Sequence, residues 1–120
     1  MVRAETYRAL STTEKDVLSR LLEVPFAGKG ELKQQLADPG ARTLDEYGSI
    51  ELRPKHQIQA PVKKTIPVEA EAPDEDGIAI RYLLFVQNGI AYELQIYKDD
   101  GSPIIRRPAA CDLRVLVLPD

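Results

Sequence analysis

The chain has 120 residues, 43% of them hydrophobic and 29% charged, and a net charge of −3 from 19 acidic and 16 basic side chains. That length suits one domain with a self-standing core, and the slightly acidic balance gives no general attraction to phosphate backbones or anionic lipid, which counts against nucleic-acid and membrane partners. One cysteine cannot form an internal disulfide, no run approaches a bilayer span, and "MVRAETYRAL" lacks the apolar core of a secretory signal, so the expected setting is reducing and cytoplasmic.

In chain order, the first predicted element is a helix over about 11–24. Ser11 and Glu14 have the spacing of a capping box, and Val17, Leu18, Leu21 and Leu22 then recur at helical period. Pro25 ends it near Glu23 or Val24. A second, short helix over about 30–37 places Leu32 and Leu36 on one side, stops at Asp38-Pro39-Gly40, and needs tertiary packing to persist. Phe26 between the two is the expected plug at their junction. From residue 41 the period changes to two. A small hairpin within 41–53 turns Ile50 and Leu52 inward and Ser49, Glu51 and Arg53 outward. A strand within 62–72 contains Pro67, which cannot donate to a ladder and so favours a sheet edge. Strands over 78–87 and 90–98 flank Asn88-Gly89, and a last strand lies within 112–118.

Asn-Gly between two β-rich runs marks a type I′ hairpin. Regular pairing from a two-residue loop sets Gln87 against Ile90, Phe85 against Tyr92, Leu83 against Leu94 and Arg81 against Ile96. The other face then pairs Val86 with Ala91, Leu84 with Glu93, Tyr82 with Gln95 and Ile80 with Tyr97. The Phe85 face is expected to pack on the helices. That leaves Ile80, Tyr82, Leu84 and Val86 as a second apolar row, either covered by the 41–75 segment or exposed as a candidate protein interface, since contiguous exposed apolar patches mark contact sites.

No residue pattern assigns catalysis. His56 is the single histidine and sits in a polar connector. With one His and one Cys, a His/Cys zinc site cannot form within one chain. Cys111 reads as a small apolar side chain at a core boundary. Asp74-Glu75-Asp76-Gly77 and Asp99-Asp100-Gly101 read as acidic turns, because the further oxygen ligands of a calcium loop are missing. Lys63-Lys64 and Arg106-Arg107 lack the interleaved aromatics of a nucleic-acid platform. No catalytic residue, metal ligand or cofactor is therefore expected.

Two stretches carry a resemblance to a known family: the F-x-G-x-x-x-L-x-x-Q-L pattern of Phe26, Gly28, Leu32, Gln35 and Leu36, and the NG-x-x-x-ELQIY-x-DDGSP segment that begins at Asn88. The chain is similar, from Leu10 to about Val117, to a family of small bacterial proteins of unknown function. The resemblance implies domain extent and brings no site residue with it. The sequence as a whole predicts a single α+β domain, with two N-terminal helices packed on one face of a twisted, mainly antiparallel sheet of about five strands. The expected function is a non-enzymatic protein-binding module, of immunity or accessory type, whose partner is another protein or a second copy. The alternative is a small-molecule-binding protein or cryptic enzyme. Its pocket would lie between helices and sheet, with Tyr7, Tyr47, Tyr92, Arg81 and Glu93 as polar groups.

Overall fold

The computed structural model describes residues 6–117. The fold is α+β: helices α1 (Thr12–Leu21) and α2 (Lys29–Gln35) precede strands β1 (Gly40–Thr43), β2 (Ile50–Arg53), β3 (Val68–Pro73), β4 (Ala79–Gln87), β5 (Ile90–Lys98) and β6 (Arg114–Val117), with a 3-10 turn, η1 (Ala110–Asp112), before β6. All six strands form one antiparallel sheet in the order β1-β2-β5-β4-β3-β6. The sixth strand arises because the 41–53 hairpin contributes two, β1 and β2, paired from Gly40↔Arg53 to Thr43↔Ile50. The expected continuation of the last strand to residue 118 lies outside the described residues.

The capping box of α1 is present: Glu14 N–H donates to Ser11 Oγ at 3.1 Å, and Ser11 N–H donates to Glu14 Oε1 at 2.9 Å. Ser11→Ala should cost about 1 kcal/mol, read as a lower urea midpoint at unchanged slope. The helix closes at Leu21, earlier than Glu23, because Glu23 N–H bonds Arg20 O in a tightened last turn at 3.2 Å. Val17, Leu18, Leu21 and Leu22 are all buried, and Phe26 packs half-buried against the same core. Arg20 ties the helix to the residue between η1 and β6, donating to Leu113 O from Nε and Nη2 at 3.2 and 2.9 Å.

The turn between β4 and β5 is of the expected kind, with φ +53° at Asn88 and +76° at Gly89. Gln87↔Ile90 and Val86↔Ala91 pair as the sequence predicts. A β-bulge then intervenes, so Phe85 faces Glu93, Leu84 faces Leu94, Leu83 faces Gln95, Tyr82 faces Ile96, Arg81 faces Tyr97 and Ile80 faces Lys98. Tyr92 is the extra residue, and every pair beyond it is slipped by one from regular spacing.

The slip corrects the assignment of faces. Ile80, Tyr82, Leu84 and Val86 are 0%, 2%, 0% and 3% exposed, so this row is core rather than an exposed contact surface. It shares the inner face with Ala91, Leu94, Ile96, Val68, Ala70 and Ile50, under the helices. Of the side chains expected to meet the helices, Leu83, Phe85 and Tyr92 are only half-buried, whereas Leu94 and Ile96 are in the core.

Three further expectations change. Pro67 precedes β3, and β3 is flanked on both sides by β4 and β6, so it is not an edge. Ser49 is buried, because its hydroxyl donates to Ile96 O at 3.1 Å and accepts from Ile96 N–H at 2.8 Å, extending the β2–β5 pairing through a side chain. Cys111 is exposed on η1 rather than packed at the core boundary. No helix among the described residues is long and apolar enough to cross a membrane.

Candidate functional site

The two faces of the sheet differ in how they are covered. Side chains of the inner face share one buried cluster with Val17, Leu18, Leu21 and Leu32 of the helices and with Leu113, and Ile104 packs against it. The outer face, on alternate residues of the same strands, carries the half-buried side chains Leu83, Phe85, Tyr97 and the bulged Tyr92. The Phe85 and Tyr92 rings lie 6.0 Å apart, tilted by 57°. Arginines ring this apolar centre, and each of four is held by an acid or an aromatic ring. Arg81 donates to Asp99 from Nε and Nη2 at 2.6 and 3.0 Å and to Glu71 from Nη1 at 2.8 Å. Arg114 pairs with Glu71 as well, Arg42 pairs with Glu51, and Arg53 sits 5.1 Å over the Tyr7 ring. Glu51 also accepts from Tyr7 Oη at 2.6 Å, and these bonds hold its carboxyl below the usual range.

Glu93, opposite Phe85 at the middle of this face, has no such partner. Partial burial first, then the nearby Asp45 and Glu51 carboxylates, push its pKa upward. A carboxyl raised by desolvation and like charge gains from any cation brought close to it.

A cleft of about 280 Å³ opens on the inner side, between the first turn of α1, the sheet and the 107–108 segment. Val17, Leu94, Ile96 and Pro108 make its apolar wall, and Tyr82 and Arg107 supply polar groups. Burial raises the Tyr82 pKa, partly offset by the Arg107 guanidinium next to it. Arg107 also donates to Tyr47 O and passes close over Gly48, where the φ of +90° favours glycine and a Cβ would come 3.3 Å from its Nη2.

The loop that carries Arg107 is fixed from below. Asp74, in the β3–β4 turn, accepts from Ile105 N–H at 2.7 Å, Arg106 N–H at 2.9 Å and Glu75 N–H at 2.8 Å, and from Lys98 Nζ at 2.9 Å. Lys98 also donates to Asp76 at 2.6 Å, and the side chains of both Lys98 and Asp74 are 0% exposed.

A family model described as a domain of unknown function, DUF6984, matches residues 7–108. The chain belongs to the DUF6984 family. No curated protein and no solved structure matches it. Within the DUF6984 segment lie the whole cleft wall, the Asp74–Lys98 pair and all of the outer face except β6.

The five polar residues considered for a pocket do not converge in the DUF6984 domain. Arg81, Tyr92 and Glu93 lie on the outer face or its bulge, Tyr7 sits at the β1 side against Glu51, and Tyr47 borders the 101–107 loop. Tyr82, from the row read as interface, instead lines the inner cleft. Arg107 is legible in the sequence only as half of a basic pair, and Lys98 carries no signal there, because both depend on contacts far apart in sequence. His56 is exposed, as a connector histidine should be. Among the described residues no group of three or more His, Cys, Asp or Glu is placed to hold a metal.

Proposed function

We propose that this domain is a non-enzymatic protein-binding module that uses the outer face of its sheet. The observation that carries the reading is the combination of half-buried Leu83, Phe85, Tyr92 and Tyr97 with an uncompensated Glu93 at their centre. Aromatic side chains and arginine dominate the energetic centres of protein interfaces, within a polar rim. The arginines on this face are already engaged, so the charge left over is acidic, which favours a partner presenting a lysine or arginine to Glu93 over a second, equally acidic copy. An immunity-type or accessory role, in which the domain neutralises or positions a cationic protein, needs only such a surface.

Phe85→Ala and Glu93→Lys variants test it, since both positions lie outside the core and should leave melting cooperative. The expected result is a basic partner captured by the wild type at low salt. Each variant should weaken that partner by at least about tenfold, and its binding should fall with ionic strength. Capture that survives both substitutions would overturn the reading. So would light scattering that shows a stable dimer dissociated by Phe85→Ala, which would put a second copy on this face.

A further inference from the structure

The inner cleft is independent of the outer face and lies on the opposite side of the sheet. We propose that it is a binding site for a small carboxylic acid, whose carboxylate meets Arg107 and the Tyr82 hydroxyl while its hydrocarbon body lies against Val17, Leu94 and Ile96. Several features of the cleft lead there. At about 280 Å³ it is near the lower end of ligand-sized cavities, and it combines an apolar wall with few polar groups. Tyr82 is 2% exposed, so its hydroxyl is a rigid, largely desolvated group. Arg107, itself exposed, donates to Tyr47 O and bonds the Tyr82 hydroxyl, and its planar guanidinium keeps further N–H groups, the geometry that suits a carboxylate.

Glu14 borders the same cleft and sets the charge limit of the ligand. Its two oxygens are already paired with Arg8 Nη1 and Nη2 at 2.8 and 2.9 Å, and it also accepts from Ser11 N–H. It is therefore neutralised, yet still hostile to a doubly charged group nearby. A singly charged carboxylate is accepted where a phosphate dianion is not.

The experiment is a methyl-detected NMR titration of the full chain with benzoate, benzamide and inorganic phosphate as probes. Benzoate should shift the Val17 and Leu94 methyl signals saturably, whereas benzamide and phosphate should not. Arg107→Gln should weaken benzoate binding at least about tenfold, the loss of one charge-assisted pair. Because Arg107 also steadies the Tyr47 turn, Tyr82→Phe serves as a second variant that removes one oxygen, and it should weaken benzoate measurably. The proposal is overturned if benzoate produces no saturable shift at these methyls, if benzamide binds as well, if phosphate alone binds, or if both variants bind benzoate like the wild type.

Discussion

Asp74→Ala should lower the melting temperature by about 10 °C or more, among the largest effects of any single polar substitution in the chain. The reason lies in what it leaves behind. Removing the carboxylate strands the N–H groups of Ile105 and Arg106 and leaves the fully buried Lys98 ammonium with only Asp76 and the Pro103 carbonyl. Lys98→Met should cost less, because Asp74 keeps three backbone N–H donors without it. A thermal melt of both variants at neutral pH checks the order, and an Asp74→Ala protein as stable as Lys98→Met would contradict it. The pH dependence follows from the direction of the shift. Burial alone would raise the Asp74 pKa, but the Ile105 N–H, Lys98 and the other backbone donors outweigh it and hold the carboxyl well below its ordinary range. A carboxyl depressed in the fold contributes stability that is fully present above its unfolded value, about 4, and is lost as pH falls through the folded value. The gap between wild type and Asp74→Asn should thus be constant from pH 7 to 5 and shrink below about pH 4. The same substitution bears on the cleft, because the loop that Asp74 secures continues directly into Arg107.

What the sequence reveals and what it conceals follow from the range of each signal. The capping box of Ser11 and Glu14 and the Asn88-Gly89 turn are local, and both are present. The bulge at Tyr92 is not local: it adds one residue to β5, and beyond it Leu94 and Ile96 join the Leu84 row of β4 instead of the Phe85 row. One clue was nonetheless available. The row Ile80, Tyr82, Leu84 and Val86 is uninterrupted, whereas the alternate row includes Arg81, and the row without a charge is the one to bury. Lys98 runs against that same rule. It is buried because Asp74, 24 residues earlier, is buried with it, and no pattern around "IYKDDG" encodes that meeting. The cleft is equally invisible, since α1, β4, β5 and the 107–108 segment each give one or a few side chains to it.

The bend at Gly89 gives the second large effect, through Gln35. Its side chain is 1% exposed at the end of α2, and it satisfies three backbone groups at once. Nε2 donates to Ile58 O and to Gly89 O, each at 2.7 Å, and Oε1 accepts from Ala91 N–H at 2.9 Å. One amide therefore joins the short helix, the 54–67 connector and the hairpin tip, where the connector adds Ala60 N–H to Gly89 O at 2.9 Å. The approach is so close that a Cβ on Gly89 would lie 2.6 Å from Ala60 O. Gln35→Ala opens a cavity and orphans Ile58 O and the buried Ala91 N–H, while Gly89 O keeps its bond from Ala60. With an unmet buried group costing about 1–3 kcal/mol, the expected loss is about 3 kcal/mol. Gln35→Glu isolates the donor's share: the carboxylate still accepts from Ala91 N–H but turns an acceptor toward two carbonyls, and it should be at least as costly at pH 7. Equilibrium urea denaturation measures both. Amide exchange at Ala91 then separates local from global opening, because a bond held by Gln35 alone predicts faster exchange there while the β3–β4 pairs stay protected. Unchanged protection at Ala91 in the alanine variant would mean that Gln35 is not what holds that amide closed, and that the tie between α2 and the hairpin is packing alone.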